Sequence, residues 1–286
     1  MNKKIRVTTV ANYVLMTGIS LLFLIPFWVV FTASFTDEIT FNLTGYSLVI
    51  GKFSLDAYKF LLFREATFLR SIFNSVLVTV LTVFLSMIVN ILTAYALSRK
   101  AMPGHKVLNV LFVFTMFFNG GMVPTFLVVK GVGLFDTIWA LILPQALGVY
   151  NALLIRNYFY SIPASMEEAA VIDGAKSIQV LFMVIIPVSK PVILTTALMT
   201  AVTKWNSWMD VLLYLSYSSK HLWTMQYMVR QILTDIEGLV GSTGEILPTQ
   251  TVQSAAIIVS VVPLLLVFPF VQRFFRDGLT MGAVKG

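Results

Sequence analysis

The stretch EEAAVIDGAKSIQVLFMVIIP, Glu167–Pro187, decides how this chain is read. It is polar and amphipathic at its start, and it lies between two long apolar runs. Ser165 and Glu168 have the S-x-x-E spacing of a capping box. Pro163 suits a first helical turn, where its missing amide hydrogen is not needed. Glu167 and Glu168 fall in that turn, where the helix dipole favours negative charge. Met166, Ala169, Ala170 and Asp173 follow at i, i+3, i+4 and i+7 on one face, and the two alanines let another backbone approach. Gly174 then permits a turn, because glycine tolerates positive φ. A second short helix is predicted over about 177–186, with Val180, Leu181 and Val184 on one side. Pro187 and Pro191 mark the entry to the next apolar run. A chain that only spans a bilayer has no need of such a segment. Two readings fit it: an amphipathic helix resting at the membrane interface, and a docking surface for a soluble partner.

The rest of the chain belongs in a membrane. Of its 286 residues, 58% are hydrophobic and 12% charged, where a soluble domain carries about 25% charge. Six apolar runs are long enough to cross a bilayer as helices, at about 13–35, 71–97, 107–129, 138–155, 192–215 and 251–271. No run alternates with period two, so the pattern argues against a β-barrel. The predicted fold is all-α: one transmembrane domain over residues 1–286, with the polar loop 158–190 on one side.

Charge orients it. With the N-terminus inside, Lys3, Lys4, Arg6, the loop Arg99–Lys106, Arg156, Lys176, Lys190, Arg273, Arg276 and Lys285 share the cytoplasmic side, and short cytoplasmic loops collect Lys and Arg. The excess is moderate, because the outer loop with Lys52, Lys59, Arg64 and Arg70 is itself basic. The first run is too long for the apolar region of a signal peptide, and Thr32-Ala33-Ser34 is a poor cleavage site, so it reads as an uncleaved span. No basic patch stands clear of the membrane ends, so the net charge of +7 does not point to nucleic acid. The chain has no cysteine, which excludes disulfides and thiol chemistry. It has no P-loop, HExxH or GxSxG pattern. His105 and His221 fall on opposite sides of the predicted membrane. No catalytic residue, metal or cofactor is expected in this chain.

Within the spans, Gly120, Gly121 and Pro124 interrupt the third run, and close helix packing or a bend beside a translocation path would each use them. Lys204, Trp205, Asn206, Trp208 and Asp210 interrupt the fifth, where polar groups face a cavity or a partner rather than lipid. On a continuous helix Asn206 and Asp210 share a face. Lys204 would lie about 120° from Asp210, so no ion pair is expected between them. Trp205 or Trp208 could stack on a sugar ring. An interfacial aromatic belt explains them equally. Asn74, Asn90, Gln253, Ser254 and Ser260 are expected to bond between helices.

Glu168-Ala169-Ala170, three residues, Gly174, nine residues, then Val184-Ile185-Ile186-Pro187 resembles the EAA signature of bacterial ABC importer permeases, which ends I-x-L-P. The six spans and the tail Gly278–Gly286 resemble the maltose-type carbohydrate permeases. Asn119–Thr125 and Trp205-Asn206-x-Trp208 resemble the branch that imports oligosaccharides released from polysaccharides. The resemblance implies a type I importer fold in the bacterial cytoplasmic membrane, with both termini cytoplasmic. It implies a coupling helix docking on an ATPase through Glu167, Glu168, Ala169, Ala170, Asp173, Gly174, Ala175 and Pro187. Tail residues Gly282, Val284 and Lys285 would touch the same ATPase. Gly121, Pro124, Trp205, Asn206, Trp208 and Asp210 become the candidate translocation path. The implied partners are a second homologous permease, two copies of an ATPase that binds ATP and Mg, an extracellular sugar-binding protein, and membrane lipid. The rival reading is an ion-gradient-driven transporter, for which Asp210 is the candidate coupling acid.

Overall fold

The computed structural model describes residues 7–64, 66–234 and 249–283. Among them every regular element is a helix, and the one extended pairing is an isolated bridge between Thr36 and Phe53. Among the described residues three segments are long and apolar enough to cross a bilayer alone: Thr9–Ser34, Thr67–Ser98 and Thr249–Pro269. Three further pairs of helices are that long and apolar only when taken together. His105–Phe117 and Met122–Gly131 meet at 111°, Trp139–Gln145 and Val149–Ser161 at 43°, and Ser177–Val188 and Lys190–Trp205 at 81°. Taking each bent pair as one crossing gives six.

The chain folds as two compact units. The first comprises residues 1–69 and 228–263. Its helix α1 (Val7–Ser34) exposes apolar side chains along most of its length. Asp37 caps α2 (Glu38–Thr44) by accepting the Thr40 N–H at 3.4 Å. Glu38 reaches the start of the last helix, α15 (Thr249–Ala283), and accepts the amides of Gln250 and Thr251 at 3.2 and 3.1 Å and the Thr251 hydroxyl at 2.6 Å. A carboxylate there satisfies otherwise orphaned amides and complements the helix dipole. Gln253 donates to the Ile232 carbonyl at 3.2 Å, the interhelical bond expected of it, whereas Ser254 bonds back to Gln250 within its own helix at 2.9 Å. A further short helix of this unit is α3 (Asp56–Lys59). There the Ser54 hydroxyl accepts the Asp56 amide at 3.0 Å, and bonds from Ser54 and Lys59 hold the Asp56 carboxyl below its ordinary value.

The second unit comprises residues 70–227 and 264–286. Its spine is the long helix α4 (Ala66–Ser98) from residue 70 onward. Polar side chains on α4 tie down irregular backbone, which must be satisfied where water is absent. Asn74 Nδ2 donates to the carbonyls of His221 and Trp223 at 2.9 and 3.0 Å, and Ser75 Oγ accepts the Met225 amide at 2.7 Å. Asn90 Oδ1 accepts the Gly148 amide at 3.1 Å at the start of α8 (Val149–Ser161).

Candidate functional site

Helix α9 (Ala164–Ile172) carries the first half of the Glu167–Pro187 stretch. The expected capping box does not form. Pro163 takes the N-cap position and Ser165 falls inside the helix, so the serine cannot serve as the cap. Glu167 is used differently. Both its carboxylate oxygens accept from the Arg99 guanidinium, with Nη2 to Oε1 at 3.1 Å and Nη1 to Oε2 closing the fork. Arg99 follows the end of α4, and its guanidinium stacks 4.0 Å from the centre of the Tyr95 ring. The Tyr95 hydroxyl donates to the Ser177 carbonyl at 2.8 Å. Two side chains at the end of α4 thus hold both halves of the loop. A planar fork suits this bidentate contact in a way a lysine ammonium does not.

The end of α9 forms as predicted. Gly174 has φ of +86°, its amide reaches the Val171 carbonyl at 3.0 Å, and the Ala175 amide reaches the Ala170 carbonyl at 2.9 Å. These are the two bonds of a Schellman motif, with Gly174 in the left-handed position. The chain then enters α10 (Ser177–Val180), a π turn over Leu181–Ile185 and α11 (Ile186–Val188), which contains Pro187. Val180, Leu181 and Ile185 are buried with Ala94 of α4, Ile155 and Phe159 of α8, and Val192. Ala170 and Ala175 pack against this cluster. Val184 is only half-buried, because the π turn rotates it off the predicted stripe.

The outer side of α9 is unusual for a polar helix. Met166, Val171 and Ile172 are exposed, Ile172 by 84%. Glu168, Ala169, Asp173 and Pro187 are exposed beside them. The loop is therefore anchored on one side and presents mixed apolar and acidic groups on the other.

The fifth predicted run breaks where it was expected to be continuous. Helix α12 (Lys190–Trp205) ends, and α13 (Met209–Tyr214) begins after three residues. Asn206 and Asp210 therefore share no helical face, and Lys204 and Asp210 pair after all. Lys204 Nζ lies 2.7 Å from Asp210 Oδ2, with side chains only 3% and 17% exposed. Ser207 Oγ and Gln145 Nε2 donate to the same oxygen at 2.7 and 2.8 Å. Each charge also suits its helix end, Lys204 in the last turn of α12 and Asp210 in the first turn of α13. Trp205 is buried, Trp208 is half-buried, and Asn206 is exposed and donates to the Val202 carbonyl at 2.8 Å.

The third run is likewise divided, between α5 (His105–Phe117) and α6 (Met122–Gly131). Gly121, at φ of +87°, caps α6 after Asn119 Oδ1 takes its amide at 2.8 Å. Pro124 sits in the first turn of α6, where it starts a helix rather than bending one. Of the tail residues, Gly282 lies in α15, and Val284 and Lys285 lie outside the described residues. Sequence reasoning missed Arg99 and Tyr95 as anchors. Arg99 was counted only as a topology charge, and nothing local in the sequence pairs it with Glu167.

No family model matches the chain. Similar proteins are nonetheless clear. It is 42% identical to the polygalacturonan/rhamnogalacturonan transport system permease protein YtcP of Bacillus subtilis, over 93% of this chain and 94% of that one. It is 30% identical to the trehalose/maltose transport system permease protein MalG of Thermococcus litoralis, over 92% of each. Among solved structures, a chain of a bacterial ABC transporter involved in import of the acidic polysaccharide alginate superposes with a TM-score of 0.86 and 30% identity, covering 96% of this chain and 99% of that one. Fold, EAA signature and these relatives agree, and the chain belongs to the family of carbohydrate ABC transporter permease proteins.

Proposed function

We propose that this chain is one of two homologous permease subunits of an ATP-driven oligosaccharide importer, and that α9 with Gly174 is the element an ATPase moves. The observation that carries this reading is the clamp between Glu167 and Arg99. It fixes a polar helix to the end of a membrane-length one and leaves Met166, Glu168, Val171, Ile172 and Asp173 turned outward. A soluble partner that grips this face moves α9. The clamp and the cluster around Leu181 and Ile185 pass that motion to α4 and α8.

The two ATPase copies hold ATP and Mg, and this chain does no chemistry. Closure of the ATPase dimer and arrival of a loaded extracellular sugar-binding protein favour the outward-open state, because an equilibrium shifts only by differential binding to its two states. α9, the loop containing Arg99 and both termini face the cytoplasm of a bacterium, and tail residues Gly282, Val284 and Lys285 reach the ATPase. Gly121, Pro124, Trp205, Asn206, Trp208 and Asp210 border the path. The relatives named for polygalacturonan/rhamnogalacturonan, alginate and trehalose/maltose share carbohydrate as their cargo. An ion-gradient transporter would need Asp210 free to take up its coupling ion, and three donors already converge on that carboxylate.

The test is oligosaccharide uptake by the assembled transporter in proteoliposomes. Uptake is expected to require ATP inside with no ion gradient, and to be lost in Gly174→Asp. Uptake that follows an imposed gradient without ATP would overturn the reading.

A further inference from the structure

We infer that the loop 45–51 is a lipid-facing re-entrant segment, folded back along α1 at the depth of the bilayer interface. This goes beyond the transport reading and does not depend on the cargo. The loop does not project away from the end of α1. The Trp28 indole N–H donates to the Leu48 carbonyl at 2.9 Å, and the Thr32 hydroxyl donates to the Ser47 carbonyl at 2.5 Å. The Thr36 hydroxyl accepts the Gly51 amide at 3.2 Å, and Ser47 Oγ accepts the Val49 amide at 3.2 Å. Side chains of α1, of Thr36 just beyond it, and of the loop itself therefore bond four backbone groups of a non-helical segment, the kind of partner such chain needs near membrane depth. Gly51 makes the approach close, since a Cβ there would meet Thr40 Cγ2 at 2.8 Å.

Depth follows from helix geometry. Trp28 lies six residues before Ser34, or about 9 Å at 1.5 Å per residue. The apolar span Thr9–Ser34 has 26 residues, about 39 Å against a hydrocarbon core of about 30 Å. Even if the whole excess of about 9 Å lies outside the core at the Ser34 end, Trp28 and the Leu48 carbonyl sit at the hydrocarbon boundary, where tryptophan collects. The composition fits. No charge occurs from Ile39 to Gly51, and Lys52 follows at once. Tyr46, Leu48 and Val49 point outward, Val49 with 74% exposure, and so do Ile39 and Leu43 on one side of α2. No charged group interrupts this apolar surface between Ile39 and Gly51, and lipid is its occupant.

The cysteine-free chain allows a direct test in the assembled transporter in proteoliposomes. Val49→Cys, Leu43→Cys and Asp56→Cys each carry one environment-sensitive fluorophore. Quenching by shallow nitroxide-labelled phospholipid is compared with quenching by aqueous iodide. At Val49 and Leu43 the lipid quencher is expected to win several-fold, and at Asp56 iodide wins. Trp28→Phe, which removes the tethering N–H, is expected to raise iodide quenching at Val49 at least twofold. Iodide winning at Val49 and Leu43 would overturn the inference by placing the loop in water. Protection from both quenchers would overturn it by showing a protein partner there. No response to Trp28→Phe would overturn the tether.

Discussion

Lys204 Nζ and Asp210 Oδ2 lie 2.7 Å apart across a break between two helices, in a largely buried setting. Removing one partner leaves the other charge uncompensated, which typically costs about 3–5 kcal/mol. Lys204→Met and Asp210→Asn are each expected to destabilise the protein by about 3 kcal/mol. The double variant should lose clearly less than the sum. A double-mutant cycle on thermal unfolding in lipid nanodiscs measures this coupling.

Gly174 occupies a left-handed position with open space around its missing Cβ, so only backbone strain opposes a side chain there. Gly174→Ala should cost about 1–2 kcal/mol. Gly174→Asn should cost less, because asparagine tolerates that conformation. Thermal stability of the two variants checks the order. Equal losses would show that something other than backbone conformation limits the site.

Arg99 and Glu167 are partly buried and bonded as a fork. Arg99→Lys keeps the charge but loses the fork, so it should behave nearly like Arg99→Ala rather than like wild type. Either variant is expected to weaken coupling, seen as a several-fold fall in transport per ATP hydrolysed, while the membrane helices stay folded. Measuring uptake and ATP hydrolysis together in proteoliposomes separates coupling loss from unfolding.

Asp136, in the turn after α6, has φ of +61° and accepts the Ser216 amide at 2.5 Å and the Ser216 hydroxyl at 2.8 Å. The bond from the Ser216 backbone holds its carboxyl below the ordinary value. A depressed folded-state pKa contributes stability that is complete above the unfolded value and is lost as pH falls through the folded one. The wild type should therefore lose this stability only on acidification below the ordinary aspartate range. Asp136→Asn should remove that part of the pH dependence. Thermal unfolding of both proteins across that range tests it.

How much was legible beforehand follows residue type. Composition and run length gave the helical membrane class, because apolar runs of this length have few other uses. Gly174 was legible because a left-handed helix end demands a residue without a Cβ. The capping box failed because Pro163 takes the N-cap position two residues ahead of Ser165, and local spacing does not reveal that Arg99, 68 positions earlier, takes Glu167. The Lys204–Asp210 pair was missed because a helical wheel assumes a continuous helix. The π turn at Leu181–Ile185 leaves no mark in the apolar pattern.

The central claim is that the outer face of α9 meets an ATPase. A photo-reactive residue in place of Ile172, the most exposed apolar group on that face, tests it in the assembled transporter. The account predicts one major adduct, with the ATPase subunit, whose yield changes when ATP is added and which Gly174→Asp abolishes. Adducts with lipid alone, from a preparation that still hydrolyses ATP as a complex, would contradict it.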